Sequence, residues 1–164
     1  MREFICDTSP IQYLHQLGHL HLLQRLVDRV TVPPAVISEI DAGRKIGIAL
    51  PDLKTIPWVA VRAPAASAVL PLVTDLGPGE KQVLALALEA GDAVVILDDA
   101  LARHVAQMLK IRIKGTLGVL LDAKRAGLIP AVLPILDQLQ ESGFRLRAGT
   151  RVAVLELAGE ASPG

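Results

Sequence analysis

Residues 93–103 read AVVILDDALAR and contain the clearest buried strand of the chain. Ala93 to Leu97 is an uninterrupted apolar run, which is typical of a strand buried on both faces of a parallel sheet. Asp98 and Asp99 end that run directly, and apolar residues then recur at helical spacing. A buried strand that passes through an acidic turn into a helix is the repeating unit of α/β proteins. We therefore expect a parallel sheet covered by helices.

The rest of the chain repeats this alternation of strands and helices. Short strands are predicted over residues 4–6, 30–32, 58–61 and 111–113, the third of them at an edge of the sheet. Helices are predicted over residues 11–17, 20–27, 34–40, 80–91, 101–109, 116–127, 131–141 and 149–157. Residues 43–57 mix charges, glycines and prolines, which predicts a helix-loop excursion. The prediction is an α/β fold with three layers, α/β/α, around a mainly parallel sheet. It has one domain over residues 1–160 and a frayed tail over 161–164.

Composition limits the function classes that the chain can serve. Hydrophobic residues make up 51% of the 164 residues but aromatic residues only 2%, so base-stacking recognition of nucleic acid is disfavoured. Lysine plus arginine number 17, and aspartate plus glutamate also number 17. A chain without net charge has no overall attraction to nucleic acid. Binding to nucleic acid would require a local basic patch or bound metal ions.

Cysteine usage and the N-terminus indicate the compartment. Cys6 is the only cysteine, so no disulfide can form within the chain, and its apolar neighbours predict a buried structural thiol. The N-terminus enters a strand pattern without the apolar core of a signal peptide. Uncharged stretches such as residues 63–74 are too short to span a membrane. We expect a soluble, cytoplasmic protein without membrane contact, and the high apolar content suggests an oligomer.

Acidic residues mark several predicted strand ends and helix starts. They are Asp7, Glu39, Glu80, Asp98 and Asp99. In a parallel α/β sheet these places lie along one edge, where ligands bind. Acids gathered there would repel one another unless a cation held them. The pattern therefore predicts a metal site, and a metal site suggests hydrolytic chemistry.

Each acid also has a plainer alternative. Asp7 precedes a helix and could cap it, together with Thr8 and Ser9. Glu39 could be a solvated helical residue. Glu80 could stabilise the dipole of its helix from the first turn. Asp98 could cap the next helix while Asp99 pairs with Arg103. Only the joint placement of the acids favours the metal site over these alternatives.

Several stretches, taken in order, resemble the PIN-domain family of small metal-dependent ribonucleases, which includes many toxins of toxin–antitoxin pairs. The stretches are ICDTSP at 5–10, PPAVISEI at 33–40, LGPGE at 76–80, VILDDALAR at 95–103 and KGTLG at 114–118. The likeness covers roughly residues 3–160. The Gly-Pro-Gly-Glu turn and the last two stretches are similar to a prokaryotic PIN-like branch.

The resemblance assigns roles to the acids. Asp7 matches the first metal-binding aspartate of the family, and Glu39 matches the glutamate on the helix after the second strand. Glu80 stands where many members carry an aspartate or a glutamate. Asp99 matches the last acid, and Asp98 stands where many members have a neutral polar residue. Leu97 replaces a threonine that is often found before the last acid, and which of Asp98 and Asp99 binds metal stays open.

The resemblance also implies an activity and partners. Mg²⁺ or Mn²⁺ held by these carboxylates would activate water to hydrolyse RNA phosphodiester bonds. A basic group of Arg103, Lys110, Arg112 and Lys114 follows the acid pair and could position phosphates. Substrate contacts are expected from Arg103 and Lys114, and from the hydroxyl groups of Thr8, Ser9 and Thr116. An RNA substrate, a partner antitoxin and a homodimer are implied in the same way.

Two other functions compete with a ribonuclease. One is a catalytically weak PIN-like domain that acts by binding protein or RNA, which the Glu80 and Leu97 departures motivate. The other is a receiver-like α/β domain that accepts phosphate with clustered acids and Mg²⁺. Receivers usually place paired acids near the first strand, whereas this pair follows Leu97, so the receiver fits poorly.

Overall fold

Five strands, all parallel, form the central sheet of the protein. A computed structural model describes residues 2–65 and 75–160. The strands are β1 (Glu3–Cys6), β2 (Val30–Val32), β3 (Val59–Val61), β4 (Ala93–Ile96) and β5 (Arg112–Lys114). Their order across the sheet is β3-β2-β1-β4-β5. The predicted α/β fold with a parallel sheet is confirmed, and β3 is an edge strand as expected.

Eight α-helices flank this sheet within the described ranges. They are α1 (Thr8–Gln16), α2 (His21–Val27), α3 (Pro34–Lys45), α4 (Pro78–Ala90), α5 (Ala100–Met108), α6 (Thr116–Arg125), α7 (Leu133–Glu141) and α8 (Ala148–Leu157). Helix α4 begins earlier than predicted because Pro78 occupies its first turn, where proline loses no hydrogen bond. The excursion over residues 43–57 contains the end of α3 and one 3₁₀ turn, Leu53–Thr55. Residues 161–164, predicted to be a frayed tail, lie outside the described residues.

The chain reverses its direction across the sheet between β1 and β4. It moves outward from β1 through β2 to β3 and then returns to place β4 on the other side of β1. In open α/β sheets such a switch point opens a crevice at the carboxyl ends of the strands. Asp7 N donates to Ile96 O at 3.0 Å, and Leu97 N donates to Lys114 O at 2.9 Å. These bonds hold the ends of β1, β4 and β5 side by side at the crevice.

The two central strands lie inside the hydrophobic core. All four residues of β4 are buried, and so are Ile5 and Cys6 of β1. Cys6 is 0% exposed, which confirms the prediction of a buried thiol. Burial raises the pKa of Cys6 well above its ordinary value, and nearby Asp7 and Asp98 raise it further. The thiol therefore stays neutral and serves packing.

The C-terminal segment is fastened to the body of the protein through one carboxylate. Glu160 follows α8 and accepts hydrogen bonds from Lys124 Nζ at 3.0 Å, Val132 N at 2.8 Å and Leu133 N at 3.0 Å. The two amides belong to the start of α7, where a negative charge complements the helix dipole. Glu160 therefore ties together α6, α7 and the end of α8.

Across residues 2–65 and 75–160, every helix falls short of the length and apolar character that crossing a membrane would require.

Candidate functional site

Five carboxylates meet at the carboxyl edge of the sheet, which we call the acidic edge: Asp7, Glu39, Glu80, Asp98 and Asp99. Asp7 follows β1, the Asp98–Asp99 pair follows β4, and the two glutamates come from α3 and α4. Glu80, Glu39 and Asp98 all act electrostatically on Asp7, and Asp99 and Glu39 act on Glu80. The structure thus brings together acids that are spread over more than ninety residues of the sequence.

Asp7 is the buried centre of the acidic edge. It is 4% exposed and precedes α1, but its side chain makes no capping hydrogen bond to that helix. The capping alternative for Asp7 is therefore wrong. Burial raises the pKa of Asp7 to about 7, the Thr8 amide lowers it, and Glu80, Glu39 and Asp98 raise it further. A carboxylate in such a place is short of positive partners.

Glu39 is held against the start of α4 and is not solvated as the plainer alternative required. Thr8 Oγ1 donates to Glu39 Oε2 at 2.5 Å, and Gly79 N donates to Oε1 at 3.1 Å. A Cβ atom on residue 79 would lie 2.7 Å from Glu39 Oε1. Glycine at position 79 is therefore what lets the carboxylate approach the helix.

Glu80 lies at the start of α4, as the plainer alternative expected, and its role as a metal ligand stays a prediction. Its Oε2 accepts a hydrogen bond from Gly77 N at 2.7 Å, which satisfies a free amide at the helix start. Burial raises the pKa of Glu80, the Gly77 amide lowers it, and Asp99 and Glu39 raise it. Glu80 thus caps α4 while its charge faces the other acids.

Asp98 and Asp99 exchange the local roles expected of them. Helix α5 begins at Ala100, so the capping residue is Asp99, whose Oδ1 accepts from Ala102 N at 2.9 Å. Asp98 instead reaches across to the start of α6, where Thr116 N donates to Oδ1 at 2.8 Å and Thr116 Oγ1 donates to Oδ2 at 2.6 Å. The expectation that Asp98 caps the helix and Asp99 pairs with Arg103 is wrong.

Asp98 is the inner acid of the pair. It is half-buried whereas Asp99 is exposed. Burial raises the pKa of Asp98, while the Thr116 hydroxyl and amide and the nearby Arg103 lower it. Asp98 also acts on Asp7, and Asp99 acts on Glu80. The two aspartates therefore face different members of the acidic edge.

The other residues expected to contact substrate surround these acids. Thr8 binds Glu39, and Thr116 binds Asp98. Arg103 Nη1 donates to Leu97 O at 3.2 Å, and Lys114 is ion-paired with Asp122. Ser9 is half-buried in the first turn of α1. Their contacts with substrate remain predictions.

The predicted basic group of four does not stay together. Arg103 and Lys114 lie at the acidic edge, but Lys110 and Arg112 line a small cleft with Gly91 and Asp92 at the amino ends of the strands. Strand β5 runs parallel to β4, so its first and last residues lie at opposite edges of the sheet. The prediction, which relied on proximity in sequence, was therefore wrong for Lys110 and Arg112.

Two further features were missed in the sequence. Gly115 lets Arg103 approach, since a Cβ atom there would lie 2.6 Å from Arg103 Nη1 and 3.0 Å from Asp98 Oδ1. A groove of about 970 Å³ also opens from Asp98 and Gly115 toward the start of α8. Lysine and arginine side chains line it, so we call it the basic groove: Arg103, Lys114, Arg125, Arg145 and Arg147. The alternation of arginine with apolar residues over 144–147 was the available signal.

The acidic edge fits a hard divalent cation by its chemistry. All five side chains offer carboxylate oxygens, the ligands that Mg²⁺ and Mn²⁺ prefer. Within the described ranges, no three of these groups stand close enough together to hold an ion as they are placed. Glu39, Glu80, Asp98 and Asp99 each give at least one oxygen to a protein donor instead. Binding would require these side chains to turn toward Asp7.

The chain matches the family described as PIN domain (DUF3368) over residues 3–160. It belongs to the PIN-domain family. This match includes all five strands and the whole acidic edge. No curated protein matches the chain. PIN domains are in general nucleases that use divalent metal ions and bind RNA, so a nuclease-type function is indicated for this member.

Proposed function

We propose that this PIN domain is an endoribonuclease that depends on Mg²⁺ or Mn²⁺. The observation that carries the proposal is Asp7, a buried carboxylate whose pKa is raised by burial and by three nearby acids, Glu80, Glu39 and Asp98. Such an arrangement destabilises the protein without a cation, and ligand sites are where proteins retain such groups. The crevice at the switch point between β1 and β4 gives a substrate access to it.

Asp7, Glu39 and Glu80, with one acid of the pair after β4, would hold the metal. When bound there, the metal would supply a water of lowered pKa and neutralise charge on the phosphate oxygens. Thr8 and Gly79 orient the Glu39 carboxylate by their hydrogen bonds. Thr116 orients Asp98, and Arg103 brings a positive charge next to it. The protein's contribution is thus to fix carboxylates around a phosphate of the RNA.

The geometry favours different roles for Asp98 and Asp99 in metal binding. Of the two aspartates, Asp98 is the one that acts on Asp7, so it is better placed than Asp99 to share an ion with Asp7. Asp99 acts on Glu80 and is exposed, so it is the better placed for a second ion or a water molecule. Both are proposed as metal-binding residues.

One observation favours a second candidate, a PIN-like domain that binds RNA or protein without cleaving RNA. Four of the five carboxylates already accept protein hydrogen bonds, and Asp98 uses both of its oxygens on Thr116. Exchanging these bonds for metal coordination costs free energy. If that cost exceeds the gain from metal binding, the acidic edge would bind ions weakly and the domain would act by association alone.

A role as the toxin of a toxin–antitoxin pair, acting in the cytoplasm as a homodimer, belongs to the same proposal. Membership of the PIN-domain family, which includes many such toxins, supports the first part. Large apolar side chains that remain exposed support association with another subunit or an antitoxin: Ile46 is 78% exposed, Met108 is 70% exposed and Leu157 is 60% exposed.

Cleavage of single-stranded RNA during a titration with Mn²⁺ tests the proposal. The protein is compared with Asp7→Asn, Asp98→Asn and Asp99→Asn, and with Asp137→Asn as a control. Asp137 is an exposed acid on α7 that pairs with Arg151. We expect Mn²⁺-dependent cleavage that Asp7→Asn abolishes and Asp137→Asn retains. If the parent did not cleave RNA, or if Asp7→Asn and Asp99→Asn both cleaved it as fast as the parent, the nuclease would be rejected. RNA binding without cleavage would support the second candidate.

A further inference from the structure

The basic groove gathers positive charge in a protein whose total charge is zero. Of its 17 lysines and arginines, five line this groove, whereas the acids lining it within the described residues are Asp98 and Asp122. Lys114 and Arg125 both pair with Asp122, so that carboxylate is already neutralised. The groove therefore presents a net positive surface that begins at the acidic edge.

Arg145 and Arg147 are the free charges of the groove. Both are exposed, and neither pairs with a carboxylate anywhere in residues 2–65 or 75–160. They alternate with Phe144 and Leu146, which are half-buried and pack against the core. This alternation directs both guanidinium groups away from the core and into the groove. Two unpaired arginines on one side of a groove are suited to successive anionic groups of a ligand.

The start of α8 adds to the positive potential at the far end. Arg147 is the residue before α8, no acid lies in the first turn of that helix, and no side chain caps it. Its first amides are therefore open to an anion, and Thr150 lines the groove beside them. The positive potential thus extends from Arg103 near Asp98 to the helix start.

The groove offers little for reading bases. Phe144 is the one aromatic ring of phenylalanine, tyrosine or tryptophan among its described lining residues. That ring is half-buried and packs edge-on against Tyr13, with ring centres 5.0 Å apart. Stacking platforms for bases need an exposed aromatic face. A nucleic acid held here would be recognised by its phosphates.

We propose that the basic groove binds the phosphate backbone of an RNA strand, with Arg145 and Arg147 as its distal anchors, independently of base sequence. This inference rests on the proposed function, because it names how that site receives its substrate. The groove is continuous with the acidic edge at Asp98 and Gly115. A strand anchored at Arg145 and Arg147 therefore extends toward Asp7, which places a neighbouring phosphodiester at the carboxylates.

Binding of a labelled RNA in EDTA tests the groove separately from catalysis. The probe is a single-stranded 12-nucleotide RNA, followed by fluorescence anisotropy over a range of salt concentrations. The protein is compared with the double variant Arg145→Gln/Arg147→Gln. The control is Arg29→Gln/Lys110→Gln, which also removes two exposed positive charges but from the amino ends of β2 and β5.

We expect the groove variant to raise Kd at least about 10-fold and the control to raise it less than about 2-fold. Each lost phosphate contact should reduce the salt slope of log K by about 0.7, the value for single strands. Oligo(U) and oligo(A) should bind within about 3-fold of each other. Unchanged melting temperatures of the variants would establish that both remain folded.

Three results would overturn the proposal that the groove binds RNA. They are no RNA binding by the parent protein, equal binding by the parent and the groove variant, or equal weakening of binding in the control variant. A 12-residue polyglutamate peptide provides a further arm. If the groove variant loses the peptide but retains RNA, the groove binds an acidic protein segment and the inference fails. Cleavage is measured separately, so an inactive protein whose RNA binding needs Arg145 and Arg147 would reject the nuclease and retain the groove.

Discussion

Two carboxylate sites of this protein have opposite surroundings. Glu160 accepts hydrogen bonds from a lysine and two helix amides, whereas Asp7 lies buried beside three other acids. Burial raises the pKa of Glu160, but the amides of Val132 and Leu133 and the Lys124 ammonium lower it below its ordinary value overall. Burial and neighbouring acids instead raise the pKa of Asp7 to about 7. The same chemical group is fully partnered in one place and short of partners in the other.

The difference separates a structural carboxylate from a functional one. Glu160 stabilises the folded chain by holding three helical elements together. Asp7 destabilises it, because ionising a buried acid next to like charges costs free energy. A fold retains such a group where a ligand supplies the missing positive charge. Substitution of Asp7 and substitution of Glu160 should therefore change the stability of the metal-free protein in opposite directions.

The largest effect is expected from Asp7→Asn. Removing the central carboxylate should reduce RNA cleavage at least about 100-fold, because the metal site loses its buried ligand. The same change should raise the free energy of unfolding of the metal-free protein at pH 8, by on the order of 2–4 kcal/mol. Activity assays and urea unfolding in EDTA measure the two effects. A variant that is inactive and also less stable would contradict this account of Asp7.

The pH dependence of that stabilisation follows from the raised pKa of Asp7. Below its ordinary pKa of 3.8, Asp7 is protonated in both the folded and the unfolded state, so asparagine should have little advantage. As pH rises toward about 7, the unfolded chain ionises first and the folded protein loses stability. The stability difference between Asp7→Asn and the parent should therefore grow from about pH 4 and level off above about 7. A constant difference across this range would contradict the assignment.

An intermediate effect is expected from Gly79→Ala. The new Cβ would displace the Glu39 carboxylate, so cleavage should fall about 10-fold, while alanine in a helix should leave stability equal or higher. Gly149→Ala is a matched control, because Gly149 is also the second residue of its helix and its added Cβ would meet nothing within 4 Å. If Gly79→Ala cleaved RNA as fast as Gly149→Ala, the placement of the Glu39 carboxylate would be unimportant for cleavage.

The smallest effect is expected from Glu160→Gln, which should lower the free energy of unfolding whereas Asp7→Asn should raise it. Loss of the charged hydrogen bonds should lower the free energy of unfolding by about 1–2 kcal/mol at pH 7 and leave cleavage unchanged. Because the folded pKa of Glu160 is lowered, its contribution is present above its ordinary pKa of 4.5 and is lost as pH falls through the folded pKa. Unfolding curves at pH 7 and in strong acid measure this. A stabilised Glu160→Gln would contradict the comparison.

Much of the fold could be read in the sequence because its signals are local. The apolar run over Ala93–Leu97 marks a strand by itself, and the Pro33–Pro34 pair marks the start of a helix. The order of the strands could not be read, since it depends on crossovers between distant segments. The place of Lys110 and Arg112 was wrong for the same reason: a strand of three residues separates the two edges of the sheet.

The acids could be named in the sequence, but their partners could not. The sequence placed Asp7 and Asp98 at strand ends, and the structure confirms that position. The bond from Thr8 to Glu39 spans 31 residues, and the bond from Thr116 to Asp98 spans 18, so only the folded chain shows them. The basic groove depends equally on tertiary structure, because Arg103 and Arg147 lie on elements far apart in the chain.

The central claim is that a divalent cation relieves the repulsion at the acidic edge. Its most direct test is the shift of the melting temperature on adding Mn²⁺ at pH 8, measured for the parent protein, Asp7→Asn and Glu160→Gln. An ion at 100 times its Kd should stabilise the parent by about 2.7 kcal/mol. The account predicts a rise in melting temperature that corresponds to this stabilisation in the parent and in Glu160→Gln, and almost no rise in Asp7→Asn. Equal shifts in the parent and Asp7→Asn, or none in either, would contradict it.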